Sequence, residues 1–513
     1  MKHITKTTLA LVAGAVATTN AQVANLPSGV IDVIADANTN NGALTGVTFD
    51  QTYGVYIVRD QATWATGQYV VSKPIFVFDS NGGQPAELTI EPGSIVFNTG
   101  AAASPTMGDD SYGALIVSRN GKLFAEGTAD APIYFSTSRF LESMRNVDID
   151  GDGVTTAPTL NTRGQWGGII LLGDDFVANY STSVTIGGVA QSKPQNINVI
   201  EGFLPSVAFN QDQDGDGLND LLTYGNAAGT DNKAHSAGSL KYVSISHGGI
   251  DLGGGNEING LTLAGVGAGT ELFAIEVLSN ADDGIEFFGG SANLRGGFVA
   301  YQKDDALDLD EGYSGNIQYF ANIQDPGTTG SATDSDHGGE WDGNSGGTAA
   351  NKRSMPIISN VTLIGDNDGD PAIKFDDFFG GYLANAVITN FADLVEVTAD
   401  YAPDAYNVGR NFFSVYTDVT DNSENINESF FASQMTQNSN LGLGVIDLDN
   451  NKADPVPTAT SSILKANGAP VLDLAADYGL DYFWATDHLG AFPQGYNWLK
   501  GWAVADVIYG MFD

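Results

Sequence analysis

Asp282-Asp283-Gly284-Ile285-Glu286-Phe287 and, 22 residues further on, Asp304-Asp305-Ala306-Leu307-Asp308-Leu309 decide the fold of this chain. In both stretches apolar residues alternate with acids, so Ile285, Phe287, Leu307 and Leu309 point to one side of a strand and Glu286 and Asp308 to the other. Short strands recurring at this period between Gly and Asn turns are the signature of a β-solenoid, whose coils bury their apolar side only against neighbouring coils. Stacked coils bring like-charged side chains roughly 5 Å apart. Two carboxylates at that spacing repel by about 1 kcal/mol in water and by several at an intermediate dielectric. A ladder of acids therefore needs cations between its rungs, or wide splaying.

Working outward from residues 271–324, coil-like segments recur at 113–138, 164–189 and 240–266, and Leu88–Phe97 reads as strand, Pro92-Gly93 corner, strand. Beyond them Asn360-Val361-Thr362-Leu363-Ile364 and Asn385-Ala386-Val387-Ile388-Thr389 repeat at a spacing of 25. Insertions rich in Gly, Asp, Asn, Ser and Thr interrupt the coils at 98–112, 141–163, 204–238 and 325–355, and their composition predicts surface loops. The expected fold is all-β, a right-handed parallel β-helix with loop insertions and a C-terminal cap. Residues 1–21 read as a signal peptide, 22–70 as an irregular lead-in, 71–400 as the β-helix and 401–513 as terminal coils and cap. Trp484, Trp498 and Trp502 give the tail the bulk to close the open end of a solenoid.

Lys2 and Lys6, the apolar run Leu9–Ala17 and Thr19-Asn20-Ala21 make the start of the chain a secretory signal, with cleavage expected near Ala21-Gln22. That run is too short to span a bilayer, and no later apolar stretch reaches the necessary length. The expected location is secreted or at the cell surface, with the periplasm as a third compartment. With no cysteine in the sequence, disulfides and zinc-thiolate sites are excluded as stabilising devices. The 62 Asp+Glu against 21 Lys+Arg give a net charge of −41, which disfavours nucleic acid and anionic membranes as partners. Since 42% of residues are hydrophobic, the acidity does not indicate a disordered tail.

The order LTIEPGSIVF (88–97), GALIVSRNGKLFAEGTADAPIYFS (113–136), GQWGGIILLG (164–173), SLKYVSISHGG (239–249), NADDGIEFFGGSANL (280–294), DDALDLDEGYSGNIQY (304–319) and LGAF…WLKGW (489–502) resembles a family of exported bacterial right-handed parallel β-helix proteins with a pectate-lyase-like fold, most without assigned activity. The likeness covers about residues 70–400 and the tail. It implies the fold; it leaves function open, because β-helices host lyases, hydrolases, adhesins and surface-layer components alike.

Calcium (Ca2+) is the expected cofactor. Asp148, Asp150 and Asp152, and likewise Asp212, Asp214, Asp216 and Asp220, place oxygen ligands at alternate positions with a glycine after the third, a spacing that wraps a loop around one ion. Asp366-Asn367-Asp368-Gly369-Asp370 is a shorter version. For the stacked acids Asp282, Asp283, Glu286, Asp304, Asp305, Asp308, Asp310 and Glu311 three readings stand side by side: a structural calcium site, a solvated acidic face, or a catalytic metal site. The catalytic reading resembles β-helix polysaccharide lyases, in which calcium neutralises a uronate and a Lys or Arg removes the adjacent proton. Lys303, Arg295 and Lys374 are the candidate bases.

Other motifs fare worse. Gly343-Asn344-Ser345-Gly346-Gly347 matches a nucleophile-loop pattern without the strand-to-helix context it requires. His235, His247, His337 and His488 lack metal-ligand spacing, so zinc is not expected, and Trp166 reads as a packing residue. The resulting expectation is a calcium-stabilised protein with a structural, adhesive or glycan-binding role, open to polysaccharide or cell-surface glycan and to self-association. The alternative is a calcium-dependent polysaccharide lyase or another glycan-active enzyme.

Overall fold

A computed structural model describes residues 26–51, 53–79, 84–100, 112–149, 152–186, 189–200, 220–252, 257–327, 335–344, 352–367, 370–398, 415–419, 435–439 and 441–512. The signal segment, Asp150, Asp212, Asp214, Asp216, Ser345 and Asp368 lie outside these residues. Among the described residues most strands fall in one 16-stranded and one 11-stranded sheet, in which successive coils pair in parallel, and three antiparallel two-stranded ribbons lie outside them. The ladders already start at Val30–Asp32, which pairs with Gln68–Val71, so coils begin within the stretch expected to be a lead-in. Among the described residues no helix is long and apolar enough to cross a membrane.

Each central coil has three faces. Gly238–Ser246, Glu271–Leu278, Asn293–Ala300, Asn316–Ile323 and Ile357–Ile364 are long strands, each bent once. At the bend sit Tyr242, Ala274, Gly296, Tyr319 and Asn360, all with positive φ between 47° and 77°. The left-handed residue turns the chain through a corner, so one strand supplies two faces. The third face is Leu261–Ala264, Ile285–Phe288, Leu307–Asp310, Gly339–Asp342, Pro371–Asp376 and Asp393–Val397.

The alternation read from the sequence is the register of this third face: Ile285 pairs with Leu307, Glu286 with Asp308 and Phe287 with Leu309. One inward column runs Val58, Val77, Val117, Leu171, Leu263, Phe287, Leu309, Trp341, Phe375, Val397, all within the main core. Each aromatic or aliphatic member contributes roughly 1.5–3 kcal/mol by burial. Trp166 belongs to the same core and donates its indole N–H to the Ser246 carbonyl at 2.8 Å.

The tail corrects one expectation. Its residues Phe492, Leu499, Trp502, Val504 and Phe512 pack along the flank of the coils, against Leu278, Phe298, Ala300, Ala321 and Ile323, rather than closing the open end. The reason lies in the second face, whose outward column Glu276, Phe298, Ala321, Thr362 and Val387 carries apolar side chains that have to be covered. Polar side chains in that column pin the tail: Thr362 Oγ1 accepts from the Ala491 N–H at 2.9 Å, and the Glu276 carboxylate accepts from Val504 N–H at 2.6 Å and Ala505 N–H at 2.9 Å. Glu276→Leu leaves both amides without an acceptor, at about 1–3 kcal/mol each. Limited proteolysis should then cut within 441–512 far faster than in the parent; an unchanged cleavage rate would show that the tail is held by its apolar contacts alone.

Candidate metal centre

The outward column of the third face changes character along the stack. It begins apolar, Ile57, Phe76, Ile116, Ile170, and there it is roofed by Ile200, Leu221, Leu222 and Tyr224 from an insertion. It then runs Thr262, Glu286, Asp308, Glu340, Lys374, Glu396. The neighbouring outward positions pass from Ala264 and Phe288 to Asp310, and from Asp342 to Asp376. Parallel in-register stacking thus sets carboxylates of successive coils side by side.

The corner leading into this face adds a second acidic line. Asp283 Oδ1 accepts the Asp305 N–H of the next coil at 2.9 Å, and Asp305 Oδ1 accepts the His337 N–H of the coil after that, also at 2.9 Å. His337 Nδ1 lies 2.9 Å from the same Asp305 oxygen. Each corner carboxylate therefore satisfies the backbone of the coil stacked on it. Aspartate suits this place because its short side chain reaches a nearby backbone amide.

Among the described residues, potential ligand atoms converge within 4.8 Å in five overlapping groups: Asp305, His337 and Glu340; Glu257, Asp282 and Asp304; Asp283, Asp304 and Asp305; Asp283, Glu286 and Asp308; Glu340, Asp342 and Asp376. Burial, then mutual repulsion, dominates the electrostatics. The Asp283 and Asp308 carboxyls are held well above the usual range, by burial first and then by neighbouring acids, Asp282 and Glu286 around Asp283 and Glu286 and Asp283 around Asp308. Asp305 and Asp310 are pushed up to about 7 and Asp342 to about 9, again by burial first. Burial disfavours the His337 imidazolium, yet the hydrogen bond and charge of Asp305 outweigh it and raise His337 to about 9. Buried acceptors in this region, among them Asn259 Oδ1, Asp308 Oδ1 and Asp342 Oδ1, have no hydrogen-bond partner among the described residues. Such atoms cost about 1–3 kcal/mol each unless a donor or cation reaches them.

Of the stacked acids read from the sequence, Asp282, Asp283, Glu286, Asp304, Asp305 and Asp308 fall in these groups, and Asp310 and Glu311 do not. The candidate bases separate. Lys374 is on the acidic face, 2.6 Å from Glu340, and that partner keeps its ammonium charged despite the burial that opposes it. Lys303 is exposed beside Asp304. Arg295 is elsewhere: it belongs to the other sheet, donates to the Tyr482 carbonyl and stacks on Tyr482 and Trp484 of the tail. In the first proposed loop, Asp148 accepts from the Gly153 N–H at 3.2 Å and Asp152 from the Val154 N–H at 2.6 Å. Asp220 pairs with Arg119 at 3.3 Å.

Glu257, Glu340, Asp342 and Asp376 were not among the residues read from the sequence, and His337, set aside there for lack of ligand spacing, lies beside Asp305 and Glu340. A usable signal existed: Glu340-Trp341-Asp342 and Lys374-Phe375-Asp376 repeat the polar–apolar–acid alternation of Asp308-Leu309-Asp310. The insertion after residue 324 lengthens the interval from 22 to 32 residues and hides the period.

Residues 207–460 match the model of a family described as a pectate-lyase-like beta helix domain. No curated protein matches the chain. Among solved structures, the tailspike protein of Acinetobacter baumannii phage AM24 aligns at 9% identity over 63% of this chain and 50% of its own, with a TM-score of 0.19. The chain thus spans half the length of that tailspike, and so loose a superposition carries no functional weight. The stacked parallel coils and the match over residues 207–460 agree on the architecture: the chain is an all-β, parallel β-helix protein.

Proposed function

We propose that the chain is an exported, calcium-stabilised β-helix that binds glycan in a structural or adhesive role at the cell surface or in the extracellular matrix. The observation that carries the metal reading is the set of overlapping carboxylate groups on the third face, with Asp283, Asp304, Asp305 and Glu340 each shared between two of them. So many acids in one buried patch must either keep their protons or hold cations. Calcium takes six to eight hard oxygen ligands in adaptable geometry, which suits a ladder of Asp, Glu and Asn oxygens better than the strict octahedron of magnesium. The ion would neutralise the face and tie successive coils together. The glycan reading rests on the pectate-lyase-like domain, a fold-level analogy. The loops 148–153 and 212–220 are retained as further calcium candidates.

A lyase is disfavoured by the place of its bases. Lys374 is held charged by Glu340 and cannot readily accept a proton at neutral pH. The test has two arms. Calorimetric titration of chelator-treated protein with calcium should show binding in the micromolar to millimolar range, and Asp305→Asn should weaken it at least tenfold; absence of any heat in the parent would refute the metal reading. Incubation with polygalacturonate and calcium should yield no unsaturated product by ultraviolet absorbance. Product that disappears in Lys374→Ala would replace this reading with the enzymatic one.

A further inference from the structure

On the flank away from the acidic face, the tail and the corner of the coils enclose a cleft of about 710 Å³. Its floor is the left-handed column Tyr242, Ala274, Gly296, Tyr319. A bulky residue at positive φ is strained, by an amount on the order of 1 kcal/mol or more, and such strain gathers at functional sites. Here the two strained tyrosines bracket two small residues. With coils about 4.8 Å apart, the three rungs from Tyr242 to Tyr319 leave a trough about 14 Å long.

The wall comes from the tail. Trp484 and Tyr496 are 53% and 61% exposed, although burying either ring would stabilise by roughly 2 kcal/mol. Trp498 and Trp502 spend their indole N–H groups on the Ala491 and Trp498 carbonyls, so their rings are fixed and only their faces remain to offer. Flat faces beside a trough match the C–H faces of pyranose rings. The charges are equally specific. Arg295 lines the cleft with its guanidinium carbon 4.1 Å from the centre of the Trp484 ring and 4.4 Å from that of Tyr482, one of its N–H groups donating to the Tyr482 carbonyl. Lys500 is exposed on the rim. Among the described residues neither cation has an ion pair, in a chain of net charge −41. Asp487, on the same rim, turns to His488 at 3.1 Å.

We infer that this cleft binds an acidic oligosaccharide, its sugar rings stacked on Trp484 and Tyr496 and a uronate carboxylate held by Arg295 and Lys500. This rests on the glycan-binding reading of the chain and is independent of the metal reading. The probes are trigalacturonate, cellotriose as a neutral sugar of equal length, and triglutamate as an acidic chain without sugar rings, each titrated calorimetrically in chelator so that the acidic face cannot recruit a uronate through calcium. Trigalacturonate should bind the parent, at least tenfold more tightly than either control. Trp484→Ala should weaken it at least tenfold and Lys500→Glu at least threefold; Lys500→Glu should leave the melting temperature unchanged because its side chain is exposed, and Trp484→Ala, which also gives up the stacking on Arg295, should lower it only modestly while the folded circular dichroism spectrum is kept. Equal affinity in Trp484→Ala would overturn the site, and equal binding of cellotriose or triglutamate would overturn the ligand class. Binding that needs calcium would move the sugar to the acidic face and leave the glycan reading standing, whereas no binding with or without calcium would sink both.

Discussion

Phe287→Asp is expected to unfold the protein at room temperature. The side chain is fully buried between Leu263 and Leu309 in the inward column, with the Tyr313 ring centred 4.3 Å away. Truncating a buried Phe costs about 3–5 kcal/mol, and a carboxyl in that space adds the cost of an unpaired polar or charged group. The sum approaches or exceeds the stability of an ordinary domain, about 5–15 kcal/mol. Phe288→Asp is the control. Its side chain points outward, half-buried against Tyr224 and level with Asp310, so it should destabilise less, chiefly by adding one more acid to the face. Circular dichroism melting decides: equal damage from the two substitutions would mean that inward and outward are not distinguished as the register requires.

The second large effect is a coupling between calcium and pH. Asp305, Asp310 and Asp342 titrate at about 7, 7 and 9 in the folded chain, against about 3.9 for an unfolded aspartate. The folded state therefore holds protons that the unfolded state has released, and metal-free stability is full below about pH 4 and falls as pH rises through 7 to 9. His337, raised to about 9 from 6.5, works in the same direction, since the stability from its imidazolium is lost as pH climbs through 9. Together these groups are worth on the order of several kcal/mol. Calcium competes with the protons, so its stabilisation, which follows RT ln(1 + [L]/Kd), should be small at about pH 5 and large at about pH 8. Asp308→Asn, which removes one of the most repelled carboxylates, should raise the melting point in chelator and shrink the calcium response. A chelated protein whose melting point is flat between these pH values, or a calcium shift of equal size at both, would rule the coupling out.

The inward columns were legible in the sequence because strand alternation is a local property. Ile285, Phe287, Leu307 and Leu309 declare their side whatever surrounds them, and a spacing of 22 residues declares that they stack. The five aspartates of the stacked site were legible for the same reason. His337, Glu340, Asp342 and Asp376 were not, because an insertion breaks the period and only pairing of Leu309 with Trp341 shows that the interrupted coil resumes in register.

Sequence alone therefore determined a stacked β-solenoid with an acidic face, since both follow from which residues alternate and how often. Tertiary structure decided what covers each outward side. Ile170 and Glu286 occupy the same outward column, yet one lies under an apolar insertion and the other opens onto the acidic patch. Arg295, next to Leu294 and well inside the acidic stretch of sequence when numbered from Asp282 to Asp308, lies at the corner at Gly296 on the opposite flank, where it meets the tail. The physical reason is that a coil rounds three corners between one acid and the next, so closeness along the chain fixes which column a residue joins, and only the closed coil and the docked tail fix its neighbours.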